Sequence, residues 1–267
     1  MNAVEKRVER PGERHRIGAA FGAARDYDRH ARVQREVAAR LADRIAALPL
    51  PPEPRVLEIG CGTGFLTQAL IDRGIGGDWT VSDIAPAMVE RCRERVGEAP
   101  GRRFTVLDGE YAIPADGRFD LICSSLAMQW FDDQEAALAR AVEVLAPGGH
   151  CLFATLAGGT FAEWRAAHAR ENRVAGTRRF ESAERIAAFL PEARRAPAEI
   201  ARIVEPHGTA LNFLRAIKGI GAATPSGMHR PLGSGAMRRV MARFEEAGAE
   251  VTYEVVYGHY GRAESGA

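Results

Sequence analysis

The run Val56–Leu57–Glu58–Ile59–Gly60–Cys61–Gly62–Thr63–Gly64 decides how this chain folds. A short apolar segment ends at three glycines in alternate positions, and the helical pattern Phe65–Arg73 follows at once. Strand, tight turn and helix are the expected order. Glycine accepts the backbone angles of such a turn and lets a ligand approach the main chain closely. The helix behind it begins with N–H groups that lack intrahelical partners. The glycine spacing is G-x-G-x-G, whereas the dinucleotide fingerprint is G-x-G-x-x-G, whose helix start grips a pyrophosphate. Glu58, two residues before Gly60, repels phosphate and attracts an ammonium group.

Outward from this turn, short apolar runs alternate with helical patterns. Strands are expected at Arg55–Ile59, Trp79–Ser82, Phe104–Leu107, Phe119–Ser124 and His150–Thr155. Helices are expected at Ala87–Val96 and Gln134–Leu145, and Pro147–Gly148–Gly149 turns the chain into the fifth strand. Five strands alternating with helices specify a parallel sheet covered on both faces, and right-handed crossovers make it doubly wound. Before this core, Val33, Val37, Leu41, Ile45 and Leu48 recur at helical spacing over Asp28–Leu48, and Pro49–Leu50–Pro51–Pro52 stops that helix.

Beyond Leu156 the rhythm changes. Helices are expected at Thr160–Glu171, Ser182–Leu190, Thr209–Lys218 and Ala236–Ala247, a loop at Met228–Gly235, and strands at Glu199–Val204 and Val251–Tyr257. The fold class is α/β: a Rossmann-like, mostly parallel seven-stranded sheet with an N-terminal helix and helical lid insertions. We expect one domain: a disordered stretch at 1–13, a helical cap at 14–49, a ligand-binding core at 50–156, a lid at 157–248, and a final strand and tail at 249–267.

The chain has 267 residues, with 46% apolar and 27% charged residues, as in ordinary globular proteins. No apolar run reaches the roughly 20 residues of a membrane span, and the first residues contain no hydrophobic signal core. Cys61, Cys92, Cys123 and Cys151 include no C-x-x-C pair, so neither a disulfide framework nor a metal site is expected. A cytoplasmic location with reduced thiols follows. The formal net charge of +1 excludes a general nucleic-acid coat. Charge is nevertheless segregated. Residues 50–156 carry 9 basic and 16 acidic side chains, whereas residues 157–248 carry 15 and 9. The basic flank suits an anionic partner, unless surface charge has merely segregated.

Two more acids narrow the ligand. Asp83 ends the second strand, where a carboxylate accepts bonds from ribose hydroxyls, although it can also cap the next helix. Asp108 ends the third strand and can reach an adenine amino group or shape a turn. A ribose, an adenine and a cationic amino-acid end, with no phosphate, describe S-adenosylmethionine.

The glycine turn, Asp83 and Asp108–Gly109–Glu110 resemble the class I S-adenosylmethionine-dependent methyltransferases over about Asp26–Thr155. Three further segments carry a narrower resemblance. They are Phe21–Gly22–Ala23–Ala24 with Tyr27–Asp28–Arg29–His30–Ala31 and Gln34, then Ser124–Phe131, then Phe213–Ala222. Together they resemble the malonyl-[acyl-carrier protein] O-methyltransferase family of biotin synthesis. The resemblance implies cofactor contacts at Gln34, Glu58, Gly60, Cys61, Gly62 and Gly64. It extends them to Asp83, Ile84, Asp108, Gly109, Glu110 and Ser124.

The implied reaction moves a methyl group from a sulfonium to the free carboxylate of a malonyl thioester. That carboxylate is ionised at neutral pH, so no general base is needed. Alignment, exclusion of water and a cationic anchor remain to be supplied. Arg215 and Lys218, at i and i+3 of one helix, are candidate anchors, and Arg178–Arg179 is another, with Arg179 taken as the contact. Tyr27 lines the transfer site or packs elsewhere; Trp130 and Phe131 bound the pocket or the core; His30 is read as packing. An acyl carrier protein is acidic, so the contact with malonyl-acyl carrier protein is expected to be transient and electrostatic, and the enzyme a monomer. Two alternatives stay open: another small acid or quinone-like acceptor, and a non-catalytic cofactor-binding subunit.

Overall fold

The computed structural model describes residues 18–19, 21–22, 27–114, 117–222 and 231–263. The N-terminal stretch 1–13 and residues 228–230 of the loop expected at Met228–Gly235 lie outside them. One seven-stranded sheet organises the molecule. Its strands are β1 (Arg55–Ile59), β2 (Asp78–Asp83), β3 (Arg102–Val106), β4 (Phe119–Ser125), β5 (Leu145–Leu156), β6 (Glu199–Pro206) and β7 (Glu250–Gly261). Their spatial order is β3-β2-β1-β4-β5-β7-β6. The first five run parallel, and β7 is antiparallel to both neighbours. The chain order reverses beside β1, where β2 and β4 lie on opposite sides of it. Ligands of such sheets bind at that switch point, beyond the carboxyl ends of the strands.

The N-terminal helical pattern is two elements, α1 (Tyr27–His30) and α2 (Arg32–Ala46), separated at Ala31, whose φ −96° and ψ 42° are not helical. Val33, Val37, Leu41 and Ile45 of α2 are fully buried against the sheet. Each contributes about 2 kcal/mol, more than the few tenths per residue by which β-branched side chains disfavour a helix. The core helices are α3 (Phe65–Asp72), α4 (Pro86–Val96) and α5 (Gln134–Glu143). Pro86 opens α4, where its missing N–H costs nothing, and Asp133 caps α5 through the N–H of Ala136. Beyond β5 come α6 (Ala162–Arg170), α7 (Ala183–Ala187), α8 (Ala210–Gly219) and α9 (Ser234–Glu246).

Among the boundaries that differ from the sequence reading, two have a clear origin in strand pairing. Helix α5 stops at Glu143, and β5 starts at Leu145, running through Pro147–Gly148–Gly149. Leu145 pairs with Phe119, the register shifts before Leu121, and Gly149 is packed so that a Cβ would lie 2.8 Å from the Phe119 carbonyl. The glycines therefore form a bulge inside the strand and not a turn before it. At the other end β7 is longer than expected, because β5 goes on pairing with it beyond Tyr257, as far as Gly261.

Candidate active site

The glycine turn lies at the carboxyl end of β1. Gly60, Gly62 and Gly64 all have positive φ, at 72°, 54° and 88°. A Cβ on Gly60 would meet that of Ala127 at 2.3 Å, whereas one on Gly62 would meet nothing within 4 Å. Gly60 is thus fixed by packing, and Gly62 faces open space. Gly64 does not line the cavity: it precedes α3, with Cys92 Sγ 2.9 Å from where its Cβ would be.

That open space is a cavity bordered by Tyr27, Gln34, Glu58, Asp83, Asp108 and Trp130, among others. Cys61, Ile84, Gly109 and Phe131 also border it. Three carboxylates and no Arg, Lys or His stand among its described lining residues. Among these described residues a pyrophosphate finds no counter-charge, whereas the carboxylates suit a cationic ligand. Asp83 accepts hydrogen bonds from the Gly62 N–H (2.9 Å) and the Ala85 N–H (2.8 Å). It therefore ties the turn to the start of α4, and its two oxygens retain capacity for ribose hydroxyls. Asp83 borders the cavity, and the N-cap position of α4 is Ala85, which carries no side-chain cap. Asp108 accepts from the Glu110 N–H at 3.1 Å and still borders the cavity.

Glu58 is 1% exposed and accepts a hydrogen bond from Thr67 Oγ1 at 2.7 Å. Burial pushes its pKa up to about 7 and the Asp83 charge adds to this, against the opposing Thr67 hydroxyl. Burial also raises Asp83. A hydrogen bond to Cys92, together with burial, lifts the Cys61 thiol well above its ordinary range, so it is an inert wall and not a nucleophile. Burial, then the charges of Asp83 and Asp28, raise Tyr27, which stays a neutral phenol.

Glu110 and Ser124 do not border this cavity. The Glu110 carboxylate is fully buried and accepts the N–H groups of Asp132 and Asp133, both at 2.9 Å. It braces the loop after the single 3-10 turn Met128–Trp130, and so holds the aromatic wall from behind. Ser124 is buried, and its neighbour Ser125 borders the cavity instead, because side chains alternate faces along β4.

A second cavity adjoins the first and shares Phe21, Tyr27, Gln34, Leu126 and Trp130 with it. Its walls come from α6, α8, β7 and the segment Gly176–Phe180. Phe21 meets Trp130 edge to face at 5.2 Å. Arg178 borders this cavity, with its guanidinium 5.3 Å from the Trp130 ring and its Nε donating to the Gln129 carbonyl at 3.0 Å. Arg179, Arg215 and Lys218 are exposed and border neither cavity. Arg215 and Lys218 share a face of α8, as their spacing requires, but Phe213, Leu214 and Ile217 form the face toward the cavity. His30 is packed against Gly219.

The sequence did not reveal what holds the N-terminal segment over the turn. Thr63 Oγ1 donates to Asp28 at 2.7 Å, Arg95 pairs with the same carboxylate and donates to the Thr63 carbonyl, and Arg91 donates to the Gly22 carbonyl at 3.0 Å. Leu126, with φ 53°, is a non-glycine residue in the left-handed region between the two cavities.

Sheet order, glycine turn and a cavity whose described lining residues include three carboxylates and no cation define a class I S-adenosylmethionine-dependent methyltransferase. A family model described as a methyltransferase domain matches residues 56–149. The chain is 41% identical to the malonyl-[acyl-carrier protein] O-methyltransferase of Magnetococcus marinus, over 93% of each chain. It is 46% identical, over 91% of its own length, to the biotin biosynthesis bifunctional protein BioCD of Bordetella avium, and spans 52% of that longer protein. The crystal structure of the YcgJ protein of Bacillus subtilis shares the fold, with TM-score 0.59 and 15% identity over 85% of this chain and 99% of that one. The chain belongs to the malonyl-[acyl-carrier protein] O-methyltransferase family. Among its described residues no helix is long and apolar enough to cross a membrane.

Proposed function

We infer that this enzyme methylates the free carboxylate of a malonyl thioester on acyl carrier protein, a step toward a biotin precursor. The observation that carries the reading is the pair of joined cavities, one acidic and one apolar with Arg178 on its wall. S-adenosylmethionine supplies an activated methyl group on a sulfonium. The residues of the chain bind, orient and exclude water. Glu58, once ionised, pairs with an ammonium group, while Asp83 and Asp108 accept from ribose and adenine. Tyr27 cannot serve as a base because it stays protonated, and none is required for an ionised carboxylate. Its hydroxyl steers an acceptor oxygen at the junction of the cavities. Arg178 anchors the carboxylate, with Trp130 fixing the guanidinium plane. The aromatic walls exclude water and strengthen these contacts.

The exposed cations belong to the carrier. Among the described residues Arg173, Arg179, Arg215 and Lys218 have no ion-pair partner, whereas Arg239 and Arg243 of α9 are paired with Glu171. Arg179, Arg215 and Lys218 sit on elements that wall the second cavity, and suit an acidic protein bound briefly and weakened by salt.

Mass spectrometry of malonyl-acyl carrier protein incubated with enzyme and S-adenosylmethionine tests the reaction: one added methyl is expected, and an unchanged mass refutes it. Arg178→Gln lowers turnover about tenfold or more, the worth of a charge-assisted contact. The double change Arg215→Glu and Lys218→Glu costs more with the carrier-bound acceptor than with malonyl-CoA, and equal losses would remove the docking assignment.

A further inference from the structure

The cavity beyond Tyr27 is larger and less polar than a malonyl group requires. It holds about 310 Å³, many times the roughly 10–15 Å³ that a single water needs. A malonyl head offers a single methylene between two polar carbonyls. The deep wall consists of Phe161, Trp164, Phe213 and Tyr253, interlocked with ring centroids 5.0–5.5 Å apart. Phe161 adopts φ 61°, costly for an aromatic residue, and in that conformation its ring completes this wall. The cation of the cavity, Arg178, stands beside Trp130, which also borders the cofactor cavity. The combination is a carboxylate anchor next to the transfer junction, with an apolar chamber behind it.

We propose, resting on the carboxyl-methylating reading above, that the enzyme also esterifies free medium-chain fatty acids, whose alkyl chain fills this aromatic chamber while the carboxylate lies between Arg178 and Tyr27. One carboxylate oxygen bonds to the methyl carbon as the carbon–sulfur bond breaks. The electron pair of that bond stays on sulfur, so S-adenosylmethionine becomes S-adenosylhomocysteine and the acid becomes a neutral methyl ester. The acid is ionised at the outset, hence no proton is moved, and no oxidant or reductant takes part. Each methylene that enters the chamber leaves water, which raises binding about three- to fourfold until the chamber is full.

The test offers the enzyme and S-adenosylmethionine butanoate, hexanoate, octanoate and dodecanoate, with gas chromatography of methyl esters, and malonyl-acyl carrier protein in parallel. Calorimetry of octanoate with the enzyme and S-adenosylhomocysteine gives a readout free of turnover. Methyl octanoate is expected, with kcat/KM rising about three- to fourfold per methylene from butanoate to octanoate and falling at dodecanoate. Octanoate should also release heat and compete with the carrier-bound acceptor. Methylated malonyl carrier protein without any fatty ester or octanoate heat overturns this proposal alone. Esters formed at rates indifferent to chain length overturn the chamber as their binding place. Methylation of neither acceptor removes both this proposal and the reading beneath it.

Discussion

Glu58 shows how one side chain couples burial to ligand choice. A carboxylate closed off from water, beside a second acid and with a single hydroxyl donor, resists ionisation until a cation arrives. Its folded pKa of about 7 stands above its ordinary 4.5. The folded state therefore binds a proton more tightly than the unfolded chain between these values, and stability declines as pH rises through that window. On the proposed role of Glu58 ligand binding runs the other way, because an ammonium group needs the ionised form. Calorimetry should give a tighter S-adenosylhomocysteine complex at pH 8 than at pH 6, and Glu58→Gln should flatten that dependence while weakening the complex at pH 8. A wild-type affinity independent of pH would be incompatible with this role.

At the scale of elements, the N-terminal segment and the glycine turn are one unit. Asp28 of α1 takes a hydroxyl from the turn and a guanidinium from α4, so three elements meet at one carboxylate. Asp28→Ala is expected to raise the cofactor KM about fivefold, equivalent to about 1 kcal/mol for a partly exposed clasp, with little change in the urea midpoint. A large loss of stability instead would mean that the segment holds the core and not the site. Element identity was legible because strand and helix periodicities leave different apolar spacings. The break at Ala31 and the strand through Pro147–Gly149 were not, since each depends on packing against residues distant in sequence.

At the scale of the whole molecule, the sheet carries a titrating pair outside both cavities. His150 of β5 and His259 of β7 meet with ring nitrogens 3.1 Å apart. Burial, the facing imidazole and Arg195 lower His259 to about 4, and burial and Arg195 also lower His150. The unfolded chain takes up protons near 6.5, while the folded pair does so only at lower pH. The pair's contribution is thus intact above about 6.5 and lost as pH falls toward 4. Urea titrations at pH 7 and pH 5 should show a smaller loss for His259→Leu than for the native chain, and parallel losses would exclude the pair as a source of acid sensitivity.

The amino-acid sequence alone determined the strand-turn-helix at Val56–Arg73, the alternation that builds the sheet, and the acids at Glu58, Asp83 and Asp108. Those follow from local backbone demands and from the period of apolar residues, which act over a few positions. Which cation borders the second cavity was decided by tertiary structure. Arg178 and Arg179 are neighbours of the same chemistry, yet one turns inward over Trp130 and the other to water. Arg215 and Lys218 likewise face outward because the apolar side of α8 is spent on Phe213 and Ile217. Side-chain direction in an irregular segment, and the choice of face where two helices compete for one core, are settled by contacts across the fold, and no spacing rule along the chain encodes them.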